Sequence, residues 1–172
     1  MARTPQGRPV RIRLRPALRA WRGKLLTGEG PGAPVHAGAF IRRGEIVLDA
    51  ALLADPKEAG RILIHEIYHF VWTRLSNAAR RSYEALVVEE IRGGASGEMG
   101  WSSEWRKNSL APRDVRARSR RWREYVCESF CDTAAWLSAG PSRHEEFTLS
   151  SISRRRRRAW FRHAEELGRI SL

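Results

Sequence analysis

One stretch of the chain, from Asp55 to about Leu75, restricts the fold more than any other because both its start and its interior specify a helix. Asp55 is a typical N-cap residue, Pro56 stands at the first helical position, and Glu58 follows three residues after the cap. Within residues 62–72, most positions hold large, uncharged side chains. The sequence therefore predicts a largely buried helix, on which every polar side chain needs a partner inside the protein.

Three polar residues of this helix, His65, Glu66 and His69, form the pattern His-Glu-x-x-His. Residues four apart lie on the same face of a helix, so the two histidines can direct ring nitrogens at one ion, while Glu66 points toward the neighbouring face. Zinc bound by neutral imidazoles keeps a position open for water, and an adjacent glutamate can accept a proton from the attacking water. The alternative is a pair of ordinary core histidines with separate partners, but one metal ion satisfies both at once.

The third ligand has to come from elsewhere in the chain. Trp72 and Leu75 occupy the positions that hold Gly and His in the longer pattern His-Glu-x-x-His-x-x-Gly-x-x-His, so that arrangement is excluded. Another common solution is a glutamate on a second helix. In the stretch 126–137 the acidic residues are Glu128 and Asp132, one helical turn apart among small neighbours. Buried carboxylates need a cation or a donor, which indicates Glu128 on the metal and Asp132 behind a histidine.

With these residues the chain resembles the gluzincins, the zinc peptidases typified by thermolysin, through His65-Glu66-x-x-His69 and Glu128-x-x-x-Asp132. The resemblance implies an α+β fold: a small zincin-like domain with a short N-terminal sheet, followed by a mainly helical half that carries an active-site helix and a glutamate-bearing helix. It implies that His65, His69 and Glu128 bind Zn²⁺, that Glu66 is the general base and that Asp132 orients His65. More distantly, the chain resembles the small ImmA/IrrE-like metallopeptidases in its size and in having a glutamate on a late helix.

The resemblance also implies two features outside the metal site. Gluzincins use a tyrosine or histidine to stabilise the oxyanion, and the candidates here are Tyr125 and His144. Their alternatives are a helix-packing aromatic residue and an exposed histidine, respectively. The predicted strand Glu45–Asp49 resembles the edge strand that pairs with an extended substrate in these peptidases, and its alternative is a plain core strand.

The remaining elements follow from periodicity and from Gly and Pro signals. We expect one domain over residues 1–172, with a flexible tail at 1–9 and a flexible loop at 27–34. Strands are predicted at 10–14 and at about 40–49, and further helices at 77–91, 113–139 and 154–167. The segment between Gly93 and Pro112 is expected to be a loop with one helical turn, from which Trp101 and Trp105 can line a substrate cleft.

The two cysteines, Cys127 and Cys131, flank the proposed glutamate ligand. A thiolate site for zinc is one interpretation, but two cysteines four residues apart without a further one are not a zinc-finger pattern, so we favour small core residues that face elsewhere. Their spacing is poor for a disulfide framework and is compatible with a reducing compartment. The N-terminus also lacks the apolar core of a signal peptide, so we expect a cytoplasmic protein.

The net charge of +13 suggests an anionic partner such as nucleic acid. The arginines concentrate in a predicted helical stripe and in a run of five, namely Arg113, Arg116, Arg120 and Arg123, and Arg154 to Arg158. We favour the interpretation of a solvated basic surface. No run approaches the roughly 18 apolar residues of a membrane span, so a membrane partner is not expected.

Two functions follow from these patterns. The first is a zinc-dependent metallopeptidase that hydrolyses a peptide or protein substrate, with Glu66 as its general base. The second is a basic, nucleic-acid-associated regulatory protein whose zinc site is structural or vestigial. A structural zinc site normally closes its fourth position with a protein ligand, so three ligands beside an intact Glu66 favour the enzyme.

Overall fold

The computed structural model describes residues 9–139 and 143–170. Its described part is an α+β fold in which short strands precede the helices, and this confirms the α+β part of the prediction. The strands are β1 (Arg11–Arg15), β2 (Leu18–Trp21), β3 (Lys24–Thr27), β4 (Ala33–Pro34), β5 (Ala37–Phe40) and β6 (Glu45–Asp49). The helices are α1 (Pro56–Arg74), α2 (Asn77–Arg92), α3 (Trp101–Asn108), α4 (Pro112–Ala117), α5 (Arg120–Ser138) and α6 (Ser151–Glu166).

The first sheet has the strand order β1-β6-β5, with β1 parallel and β5 antiparallel to β6. The predicted strand at 40–49 is therefore two strands joined by a 3₁₀ turn that ends at Gly44, whose φ of 61° suits glycine. Of the two interpretations of Glu45–Asp49, the core strand is the one observed and the edge strand is not, since β6 is buried between the edge strands β1 and β5.

A second small sheet, with the order β3-β2-β4, was not predicted. Its strands are two to four residues long and largely exposed, so they carry little of the apolar alternation that identifies a strand in sequence. The segment 27–34, predicted as a flexible loop, ends β3, forms a turn and enters β4. Of the predicted tail, residues 1–8 lie outside the described residues.

Helix α1 begins as its capping residues indicate. The Asp55 carboxylate accepts hydrogen bonds from the backbone N–H groups of Lys57 and Glu58 at 3.0 and 3.1 Å. One side of the helix packs on the first sheet, where Phe70 joins a core cluster with Ile46 and Leu48. The other side joins the main core among the helices. Because α1 is covered on both sides, its mostly apolar sequence has no large solvent-facing stripe.

The predicted long helix at 113–139 is in fact two helices. Arg118 adopts a left-handed conformation with φ of 47°, and Ser119 then caps α5 by accepting from the backbone N–H of Trp122. Two hydrogen bonds from the Arg118 guanidinium to Glu84, at 2.7 and 2.6 Å, tie this break to α2. The absence of Gly and Pro between Arg113 and Ala139 therefore did not mean that this segment is one continuous helix. The predicted stop at Gly140-Pro141 lies outside the described residues.

Two other boundaries differ from the predictions. The segment 93–112, expected to be mostly loop, contains the eight-residue helix α3. Helix α6 begins at Ser151, one turn earlier than expected, because Ser150 caps it. No helix in the part of the chain that the structure describes is both long enough and apolar enough to span a membrane.

Candidate metal centre and cleft

Helices α1 and α5 pack side by side and bring the three predicted ligands together. His65 Nε2 lies 3.4 Å from Glu128 Oε2, and His69 Nε2 lies 4.0 Å from Glu128 Oε1. One ligand atom from each of the three residues lies within 4.8 Å of the other two. These residues therefore form a group that can hold a metal ion. In the sequence, Glu128 lies 63 residues after His65 and 59 residues after His69.

Asp132 fixes the orientation of the first histidine. Its Oδ1 lies 2.7 Å from His65 Nδ1, and only 3% of the residue is exposed. A proton on Nδ1, shared with the carboxylate, fixes the ring so that Nε2 faces Glu128. The other carboxylate oxygen accepts from the backbone N–H of Ser103 at 3.2 Å. Gly100 makes this approach feasible, because a Cβ there would come within 2.4 Å of the Asp132 carboxylate.

The electrostatics of the group suit a cation. Burial raises the pKa of Glu128, but the hydrogen bond with His65 and the charges of His69 and His65 lower it to about 2. Burial lowers the pKa of His65, but the charge and hydrogen bond of Asp132 raise it well above its usual value. A cation at this point satisfies Glu128 and releases the two histidines to act as neutral ligands. Burial also raises the pKa of Glu66, which follows His65 on α1.

The group lies in a cleft with a volume of about 730 Å³. Edge strand β5 forms one wall through Ala37, Gly38 and Ala39, and Glu66 lines the cleft beside the histidines. Helix α3 also contributes to the lining, through Trp101, Ser102, Trp105 and Arg106.

Trp101 and Trp105 both line the cleft, on α3 and not on a loop as expected. Their rings stack with centroids 6.2 Å apart and planes 13° apart, and the two residues remain 65% and 55% exposed. Stacked and exposed indoles at the rim of a cleft present a flat apolar surface to whatever enters it.

Sequence reasoning missed two further residues of the cleft, Ser102 and Arg106. The Ser102 hydroxyl donates to Glu128 Oε2 at 2.7 Å, and Arg106 Nη1 donates to the Ser102 hydroxyl at 2.7 Å. Arg106 Nη2 also lies 3.4 Å from Glu128 Oε1. The sequence did contain a signal for this arrangement. Trp101 and Trp105 are four residues apart, as are Ser102 and Arg106, so each pair lies on one face of a short helix.

The structure places both oxyanion candidates away from the metal group. Tyr125 is fully buried, and its hydroxyl donates to Glu98 Oε1 at 2.5 Å inside the core, so it does not reach the cleft. His144 Nε2 lies 3.5 Å from Glu58 Oε2 at the first turn of α1, and its Nδ1 accepts from the backbone N–H of Glu146 at 3.2 Å. His144 is not among the residues that line the cleft. The resemblance implied a tyrosine or a histidine beside the metal group, but neither Tyr125 nor His144 lies there.

The cysteines differ from each other in their surroundings. Cys131 is fully buried, as expected of a core residue. Cys127 does not face away from the site, because its Sγ lies 3.6 Å from His69 Nδ1. His69, Cys127 and Cys131 form a second group whose ligand atoms lie within 4.8 Å of one another. The contact of Cys127 with His69 was not foreseen from the sequence.

Comparisons with known proteins give no information about this site. The chain matches no protein-family model, no curated protein and no solved structure. Its function is therefore inferred from the geometry and chemistry of the cleft.

Proposed function

We propose that the chain is a zinc-dependent metallopeptidase of gluzincin type, with a small zincin-like domain that hydrolyses peptide bonds in a peptide or protein substrate. The observation that carries this proposal is the convergence of His65, His69 and Glu128 in an open cleft with Glu66 beside them. Two imidazole nitrogens and one carboxylate oxygen are a donor set of catalytic zinc sites. Both cysteines are free thiols, which is compatible with a cytoplasmic location.

The donor set fits zinc, which supplies a Lewis acid and lowers the pKa of water when it is bound. Glu66 accepts a proton from the water that attacks the peptide carbonyl and then donates it to the leaving amine. Asp132 holds His65 in the tautomer that leaves Nε2 free. Edge strand β5, which lines the cleft, offers backbone groups for an extended substrate.

Arg106 takes the role for which Tyr125 and His144 were considered. Its guanidinium lies in the cleft beside Glu128 and carries a permanent positive charge. Donors aimed at the carbonyl oxygen stabilise the negative charge that develops there during attack. Ser102, which accepts from Arg106, keeps the guanidinium on this side of the cleft.

Within residues 9–139 and 143–170, the basic-surface alternative has no comparably organised site. The four arginines of the predicted stripe are exposed but divide between α4 and α5, with the break at Arg118 between them. Nucleic acid as a partner stays a prediction. The metal group and Glu66 in one cleft make the peptidase our conclusion.

The proposal is tested first by metal binding. We expect purified protein to bind one zinc ion per chain and to cleave unstructured peptides, and Asp132→Asn to weaken zinc affinity by about 10–100-fold because His65 loses its orienting acceptor. The measurement is competition with a chromophoric chelator. Asp114→Asn, which removes a buried aspartate at the start of α4, is the control with unchanged affinity. Equal affinity in wild type and Asp132→Asn, or zinc binding without any peptide cleavage, would contradict the proposal.

The role of Arg106 gives a second test. Arg106→Met is expected to lower kcat by about 10²-fold with a small change in KM, because the lost interaction forms mainly in the transition state. Steady-state kinetics on a fluorogenic peptide provide both constants. Arg80→Met, on α2 and outside the cleft, is the matched control. A rise in KM at unchanged kcat would instead assign Arg106 to substrate binding.

A further inference from the structure

His69 presents its two ring nitrogens to two different sets of ligands. Nε2 faces Glu128 Oε1 at 4.0 Å, in the group that includes His65. Nδ1 faces Cys127 Sγ at 3.6 Å, on the side away from Glu128. Each set contains three ligand atoms within 4.8 Å of one another, and His69 is common to both.

We propose that His69 Nδ1, Cys127 Sγ and Cys131 Sγ form a second metal position that takes a soft divalent cation. Thiolate ligands select thiophilic ions over hard ones, and one imidazole completes a mixed sulfur and nitrogen set. Two thiolates balance the charge of a divalent ion, so the occupied position is nearly neutral. Neutrality matters because Cys131 is fully buried and belongs to the main apolar core.

The geometry requires only small movements. The spacing of four on α5 places Cys127 and Cys131 on one side of the helix, next to α1. Metal–sulfur bonds of about 2.3 Å in a tetrahedral site bring two sulfur atoms to about 3.8 Å from each other. Since the ligand atoms lie within 4.8 Å of one another, the two sulfur atoms have to approach by at most about 1 Å, which side-chain torsions can supply without moving either backbone.

Access runs through the cleft. His69 lines the cleft, Cys127 is partly buried, and Cys131 is fully buried. An ion that enters past His69 meets Cys127 first and Cys131 second. The second position is thus an inner neighbour of the catalytic group and not a separate surface site.

The shared histidine couples the two positions. If a metal ion replaces the proton on His69 Nδ1, which passes to solvent, the ring either binds ions on both nitrogens or turns away from Glu128. Either change alters the ligand field of the first position. The consequence for activity rests on the proposed function: a soft divalent cation at the thiolate position inhibits peptide hydrolysis.

Cadmium titration of the metal-free protein tests the site independently of activity. Thiolate ligation of Cd²⁺ gives an ultraviolet charge-transfer band, which we expect to saturate in wild type and to disappear in Cys131→Ala. Alanine is small and apolar, so the buried position stays filled, and circular dichroism checks the fold. Glu128→Gln, which disables only the first group, is the matched control and should keep the band. A missing band in wild type, or an equal band in Cys131→Ala, would overturn the proposal.

Inhibition provides the separate readout for the coupling. Cadmium is expected to inhibit wild type at a concentration at least tenfold lower than Cys127→Ala, with each rate compared with that variant's own cadmium-free rate. If no variant hydrolyses peptides, the proposed function fails while the cadmium band still decides the thiolate site. If the band is present and both proteins are inhibited equally, the coupling through His69 is wrong.

Discussion

Replacing Glu66 with glutamine is expected to reduce peptide hydrolysis by about 10²–10⁴-fold, the usual contribution of a general base. The amide has nearly the same shape as the carboxylate but does not accept a proton from water. Glu66 is buried beside His65 and His69 without belonging to the group of three ligand atoms, so zinc binding should persist. The measurement combines kcat on a fluorogenic peptide with the zinc content of the same preparation.

Glu165→Gln is the matched control, because Glu165 is exposed on α6. It should retain both activity and zinc. Hydrolysis by Glu66→Gln at the wild-type rate would eliminate the proposed mechanism. Loss of zinc together with activity would mean that Glu66 maintains the metal group and would remove the evidence for its role as base.

The parts of the site that sequence predicted are those with local signals. The cap at Asp55 and the spacing of His65 and His69 are both encoded within about five turns of one helix. Glu128 and Asp132 were recognisable because carboxylates among small residues of a predicted helix need partners. The side chains of the two histidines, Glu128 and Asp132 come together in the structure because α1 and α5 pack against each other.

The parts that sequence could not supply depend on contacts between distant segments. Ser102 and Arg106 reach Glu128 only because α3 packs across α5, and the segment 93–112 gave no convincing period. Tyr125 has the right residue type for the site but points into the core. Tertiary packing sets the rotation of each helix about its axis, and this rotation decides whether a side chain faces the cleft or the core.

Arg157 is the strongest example, because it belongs to the run Arg154 to Arg158 that sequence reasoning treated as a solvated face. The side chain is fully buried and forms ion pairs with Glu90 at 2.7 Å and Glu98 at 2.6 Å. Glu98 also accepts from the Tyr125 hydroxyl, and Thr133 accepts from Arg157. This network joins α6 to α2, to α5 and to the segment that leads through Gly100 to the Asp132 carboxylate.

Arg157→Met is therefore expected to lower the free energy of unfolding by about 3–5 kcal/mol, because it leaves the Glu90 carboxylate buried without its cation and leaves Glu98 with Lys107 Nζ, 3.4 Å away, as its remaining cation. Methionine retains most of the side-chain length, so the effect reports mainly the lost charge and hydrogen bonds. Denaturant unfolding followed by circular dichroism gives the free energy. The control is Arg155→Met, two residues earlier and exposed, for which we expect a change within about 0.5 kcal/mol.

A compensating variant separates charge from packing at this position. In Arg157→Met combined with Glu90→Gln and Glu98→Gln, neither carboxylate is left buried and unpaired, and Lys107 Nζ keeps its hydrogen bond to the Gly97 carbonyl at 2.9 Å, so a substantial part of the lost stability should return. Equal losses in Arg157→Met and Arg155→Met would show that the buried network contributes little. Because Glu98 stands two residues before Gly100, disruption of the network should also weaken zinc binding by disturbing the contact between Gly100 and Asp132. Arg157 would then connect the stability of the helical core to the geometry of the metal group.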